Sequence, residues 1–235
     1  MPRIHISQPL LRVQEEGAAL PLPELAFNPD LIYILGLLAV LPFLLVSTTS
    51  FVKLAVVFSL LRNALGIQQI PPNIALYGLA LVLSLYIMAP VAVEVFAIAR
   101  DAEQNGQDFF HTLPLAAEPL ADFMRRNTDP HHLQFFEDSI ARVWGDELDA
   151  SPDLLAHLAL MPAFATTELT EAFEIGFLFY LPFIAVDLIT ANILLSLGMM
   201  MLSPVTISLP FKLFLFVAAS GWERLIEGLV LGYAP

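Results

Sequence analysis

The sequence predicts an all-α, membrane-associated protein made of bent helical hairpins that carry a soluble helical insert. Three observations predict it. The chain has 235 residues, 57% hydrophobic and only 14% charged, whereas ordinary soluble domains are about one-quarter charged. Four apolar stretches stand out, Leu31 to Phe51, Ile74 to Ala99, Ile175 to Leu202 and Ile207 to Tyr233. At about 1.5 Å per residue each can reach across a bilayer core of about 30 Å, and such lengths suit helices, not barrel strands. Between the second and third stretches, Arg100 to Asp153 holds twelve Asp or Glu against four Arg, a charge of −8 that does not belong in lipid.

Residues 1–30 are read as a retained, flexible tail. They contain Glu15, Glu16, Pro21, Pro23 and Glu24, and lack the apolar core and small-residue cleavage pattern of a signal peptide. Residues 31–100 form the first hydrophobic helical pair. Within them Ser47, Thr48, Thr49 and Ser50 have no His or Lys in a nucleophile arrangement, so their hydroxyls are expected to bond backbone carbonyls at a helix kink or end.

Residues 101–160 form the acidic insert. Asp129 caps and Pro130 opens a helix in which Leu133, Phe136, Ile140, Val143 and Trp144 recur at helical spacing, and Ser151-Pro152-Asp153 starts another. His131-His132 does not make a metal site, because adjacent helical side chains point about 100° apart and no third ligand has a recognisable spacing. The acidic charge argues against a nucleic-acid partner. No cysteine is present, and no glycine-rich phosphate loop. No cofactor, metal or enzymatic activity is expected.

Residues 161–235 form the second hydrophobic helical pair, and here the carboxylates are informative. Glu168, Glu171 and Glu174 fall within about 120° of one helical face. Read locally, Glu168 and Glu171 complement a helix dipole in a first turn after Pro162. Asp187 sits within an apolar stretch, where insertion costs ~2.5–3.5 kcal/mol, so it must face protein or water. Its stripe of Thr190, Ala191, Leu194 and Gly198 is small or polar, and Gly228 and Gly232 form a GxxxG pair, both suited to helix packing. Pro42, Pro90, Pro182 and Pro210 interrupt the four stretches and predict bends. Lys53 and Arg62 after the first stretch, and Lys212 after the third, place those short connections in the cytoplasm, and hence the tail, the insert and the end of the chain on the opposite side.

Three runs carry a family resemblance: TSFVKLAVVFSLLRNALGIQQIPPN (Thr49 to Asn73), ELTEAFEIGFLFYLPFIAVDLI (Glu168 to Ile189) and GMMMLSPVTISLPFKLFLFV (Gly198 to Val217). The chain resembles the R component of the type III secretion export gate, whose flagellar counterpart is FliP, over roughly residues 31–235. Flagellar members commonly carry Pro-Pro after the methionines, so Ser203-Pro204 favours the injectisome branch. The resemblance implies a pore-forming pentamer in the bacterial inner membrane that assembles helically with the S and T components. It further implies contact with inner-rod or needle subunits, the U and V components, exported proteins and membrane lipid, and helices bent and lifted toward the periplasm. The competing reading, which Asp187 and the glutamates allow, is a small-solute or proton-coupled transporter.

Two site expectations complete the reading, the first from the residues alone and the second from the residues together with the common axis that the resemblance implies. Lys53 and Lys212 at apolar edges are expected to pair with Glu168, Glu171, Glu174 or Asp187, at least once across a subunit boundary; snorkelling of both lysines to headgroups is the alternative. Met199, Met200 and Met201 cannot share one helical face and lie between Gly198 and Ser203-Pro204, so they read as a loop. Projected to a common axis, their soft thioethers are expected to form a deformable apolar gate.

Overall fold

With so much apolar sequence and so few turn residues inside it, backbone groups are satisfied within helices, and a computed structural model of the chain contains eight α-helices and no strand among the described residues. The structure describes residues 29–67, 70–107, 109–144, 152–199 and 201–234. The expected tail, apart from Pro29 and Asp30, together with Met200 and Ser151, lies outside them. The helices are α1 (Pro29–Thr48), α2 (Phe51–Ala64), α3 (Asn73–Gln104), α4 (Phe109–Arg126), α5 (Pro130–Trp144), α6 (Pro152–Ser196), α7 (Pro204–Ala218) and α8 (Gly221–Leu231). The chain divides into two units, Met1–Pro42 and Phe43–Pro235, and the core described below belongs to the second.

α3 and α6 are each long and apolar enough to cross a membrane. Two broken pairs meet the same standard together: Leu38–Thr48 with α2, bent by 61°, and α7 with α8, bent by 58°. The first and fourth apolar stretches are therefore elbows instead of straight rods. At the first elbow Ser47 and Thr48 hydroxyls donate to the Leu44 carbonyl at 3.1 and 2.7 Å, and Thr49 donates to Leu45 at 2.7 Å. Thr49 Oγ1 also accepts from the Phe51 amide at 3.4 Å, so one hydroxyl serves both sides of the break. Ser50 donates to Ser84 Oγ at 3.1 Å and fixes the elbow to α3. These are the backbone-bonding hydroxyls expected of this quartet, with Ser50 turned to a neighbouring helix instead.

The second elbow is built differently. Ser220 takes a left-handed backbone (φ 51°), and a Cβ on Gly221 would lie 2.2 Å from the Phe216 ring, so the chain turns where only a glycine fits against that ring. Trp222 closes the elbow edge-on to Phe216 and Phe58, with centroids 5.5 and 6.1 Å away.

α2 is the hub of the unit. Its Leu54, Val57, Phe58 and Leu61 are buried against Leu76 and Ala80 of α3, Ala172 and Phe183 of α6, Phe216 of α7, and Leu225 and Leu229 of α8. Lys53 and Arg62 suggest a short connection between spans, but Phe51–Ala64 is a helix, largely buried because Leu54, Val57, Phe58 and Leu61 pack into the core. A second cluster joins Met88 and Val91 of α3, Ala121, Phe123 and Met124 of α4, and Leu160 and Phe164 of α6.

α6 is one helix of 45 residues, about 67 Å at 1.5 Å per residue, and runs from the insert through the third apolar stretch. Pro162 and Pro182 lie inside it. Glu168 and Glu171 are therefore mid-helix, which overturns the helix-dipole reading of these two residues: the first turn lies at Pro152, four turns away. In the insert, α5 starts as expected, with Asp129 Oδ1 accepting from the His131 amide at 2.7 Å. Leu133, Phe136 and Ile140 are partly buried, but Val143 is exposed, because α5 rests on α6 along only part of its length. His132 Nδ1 meets Thr167 Oγ1 at 2.9 Å, which ties α5 to α6.

Candidate functional site

The two lysines of the chain define two charge clusters at opposite ends of α2. In the first, Lys53 is in the opening turn of α2, and its side chain is 7% exposed. Its Nζ lies 2.9 Å from Glu168 and 2.6 Å from Glu171, one helical turn further along α6. The Glu168 side chain is 1% exposed, whereas Glu171 is 48% exposed, so the inner pair is enclosed and the outer carboxylate meets the surroundings. The Tyr233 hydroxyl, beyond α8, donates to Glu168 Oε2.

In the second cluster Lys212 of α7 sits against the end of α2. Its Nζ lies 2.6 Å from Asp187 Oδ2 and donates to the Ala64 carbonyl at 3.2 Å. A cation at this carbonyl complements the negative end of α2. Ser208 donates to the other Asp187 oxygen at 2.5 Å. Asp187 thus receives an ammonium and a hydroxyl, which is how an acidic residue becomes tolerable on an apolar helix.

Lys53 and Lys212 accordingly find carboxylates within one chain and do not reach outward to headgroups. Their burial needs no pair across a subunit boundary to account for it. It also removes them as orientation signals, leaving Arg62 near the α2–α3 connection, where it bonds Asn73. Glu174 is exposed and joins no ion pair among the described residues.

Beyond the second cluster lies the methionine loop. α6 ends in a Schellman turn: the Met199 amide bonds the Leu194 carbonyl at 2.9 Å, and the Gly198 amide bonds Leu195 at 3.1 Å. Gly198 is left-handed (φ 70°) with open space around it, so this glycine serves the helix end, not helix packing as expected. Pro204 then starts α7 at its first position. Met199 is 43% exposed and Met201 fully exposed. Both therefore sit in a loop, as the sequence implied.

The remaining packing glycines also differ from expectation. Among the described residues, a Cβ on Gly228 would meet nothing within 4 Å and one on Gly232 would meet only α8 backbone, so neither is a crossing point there. The crossing point is Gly176 on α6, where a Cβ would lie 2.3 Å from Leu60 Cδ1 and 3.1 Å from Leu60 Cβ. A lone glycine in Glu174-Ile175-Gly176-Phe177 gave no spacing signal. The stripe of Asp187, Thr190, Ala191 and Leu194 does face protein, while Leu188, Ile189, Ile193 and Leu195 face out.

Two lysines paired inside the helices, apolar side chains turned outward and span-length helices with bent pairs define a helical membrane protein. The chain belongs to the FliP family, which it matches over residues 34–229. It is 50% identical over 210 residues to the Yop proteins translocation protein R of Yersinia pestis, covering 87% of this chain and 95% of that protein. It is also 50% identical over 209 residues to the virulence protein YscR of Salmonella typhimurium, covering 87% and 96%. Identity to the harpin secretion protein HrpW of Pseudomonas syringae pv. syringae is 45% over 202 residues, covering 85% and 97%.

Proposed function

We propose that the chain is a structural, pore-forming subunit of the type III protein secretion export gate, through which unfolded proteins cross the bacterial inner membrane. The observation that carries this reading is the loop at 198–203. Met199 and Met201 are exposed there on a scaffold that has turned both lysines inward, and the relatives are proteins named for translocation and secretion. The gate works by packing, with no bond made or broken: several copies bring Met199, Met200 and Met201 to a common axis, where flexible thioethers exclude water, part around a polypeptide and close again.

The partners are further copies of the chain, five in the completed ring, with the S and T components, the rod or needle subunits, the U and V components and lipid. Apolar residues left exposed on α3, α6 and α7, among them Tyr86, Phe96, Phe177, Leu188 and Phe214, supply the surface for such contacts. Gly228 is open on one side of α8 and is available to a neighbouring chain. The insert lies in the periplasm. Gly66 and Val205 approach each other, with the built Gly66 Cβ 3.9 Å from Val205 Cγ1, so the α2–α3 and α6–α7 connections share one end.

Native mass spectrometry of the chain co-expressed with S and T components tests the reading. A multi-copy ring that includes them is the expected species. A monomer or dimer that ignores them would favour a transporter, although Asp187, the residue such a transporter would use, is already held by Lys212 and Ser208.

A further inference from the structure

Tyr233 packs against the second apolar cluster and reaches the buried Lys53–Glu168 pair. Its hydroxyl bonds Glu168 of α6, its ring centroid lies 4.3 Å from Lys53 Nζ of α2, and it stacks on Phe123 of α4 with centroids 5.8 Å apart and planes 18° from parallel. One side chain beyond α8 therefore touches three other helices. Each contact answers a separate need. Glu168 is enclosed, and its Oε1 faces Lys53 while Oε2 accepts a hydrogen bond from the phenolic hydroxyl. Lys53 divides one positive charge between two carboxylates, and the negative ring face adds attraction without adding charge. Phenylalanine could stack here but could not donate to Glu168.

Phe123 and Lys53 both pack against the ring, and an open apolar groove lined by residues including Tyr86, Pro90, Val93, Leu231 and Tyr233 adjoins it.

We infer that Tyr233 is a positioning residue, a clasp that closes the buried Lys53–Glu168 pair and holds α4 beside it. Displacing the segment after α8 uncovers the pair and loosens α4 together. The inference stands on contacts within one chain and does not depend on the export reading above.

The chain supplies its own control, because it has two lysines of nearly equal concealment at opposite ends of α2, 7% exposed at Lys53 and 4% at Lys212. The full chain, purified in detergent, is reductively methylated with formaldehyde and a borohydride, and modification at each lysine is followed by mass spectrometry. Tyr233→Ala should raise the Lys53 to Lys212 rate ratio by about tenfold, and Tyr233→Phe, which keeps the ring, by about threefold, as local opening requires. Hydrogen exchange in Tyr233→Ala should quicken in α4 and stay unchanged in α7. Equal acceleration at both lysines, or an unchanged ratio, overturns the clasp. If Tyr233→Ala does not fold, an unchanged ratio in Tyr233→Phe overturns it alone.

Discussion

The ammonium of Lys53 and the carboxylate of Glu168 meet at 2.9 Å across the contact of α2 with α6, both enclosed by apolar side chains. Removing Lys53 leaves Glu168 uncompensated where water does not reach, and removing Glu168 leaves the enclosed Lys53 with only the half-exposed Glu171. Lys53→Ala or Glu168→Ala should therefore destabilise the purified chain by about 3–5 kcal/mol. Glu171→Ala, at a half-exposed position, should cost under about 1 kcal/mol. Chemical denaturation followed by tryptophan fluorescence measures all three. Equal losses for Glu168 and Glu171 would mean that burial does not govern this cluster.

At the other end of α2 the Asp187–Lys212 pair should show strong coupling. Asp187→Ala and Lys212→Ala should each cost about 3–5 kcal/mol, while the double variant costs less than their sum because no orphan charge remains. A double-mutant cycle on unfolding free energy gives the coupling directly, and additive losses would count against a direct interaction.

Gly176 permits α6 to approach Leu60. Gly176→Ala places a methyl where Leu60 Cβ and Cγ already lie within 3.1 and 3.3 Å, and should cost about 1–3 kcal/mol by overpacking. Adding Leu60→Ala should recover part of that loss, although Leu60→Ala is itself destabilising. Thermal unfolding of the single and double variants decides it, and a lack of recovery places the strain elsewhere.

Replacement of Met199, Met200 and Met201 by glycine should leave the co-expressed complex assembled but permeable. Dye uptake or conductance in cells carrying the assembled complex is the measurement. Unchanged permeability with intact assembly removes these residues from the gate.

Gln107 and Gln134 are exposed in the insert, and the chain has no cysteine to interfere. Cysteine at either position should react with a thiol reagent that passes the outer membrane of intact cells but not the inner membrane. Protection at both until lysis would reverse the orientation.

Legibility followed the range of the interaction. The acidic insert, the Asp129–Pro130 helix start and the serine–threonine elbow were legible because their causes lie within a few neighbouring residues. The long apolar runs also announced α3 and α6. What escaped was decided by residues distant in sequence. Lys53 looks the same to a hydropathy count whether it faces headgroups or Glu168, so hydropathy alone makes α2 a connection. Glu168 suits a first turn as well as a buried pair until α6 is seen to begin at Pro152. Gly176 matters because Leu60 passes beside it, and Tyr233 because Phe123, Lys53 and Glu168 converge there. The Gly228 spacing, conversely, describes a helix-packing pattern that no neighbour among the described residues occupies.

The hydroxyls of Ser47, Thr48 and Thr49 give the first elbow a property that outlasts any one location. Water ordinarily serves carbonyls at a bend, and a bend so served changes energy when water is withdrawn. Here the partners are carried in the side chains, so the same hydrogen bonds persist in an aqueous, headgroup or hydrocarbon setting. Under the proposed function, the chain meets all three as it passes from lipid into the gate. Its elbow can form once, during synthesis, and keep its hydrogen-bond partners from insertion to completed assembly.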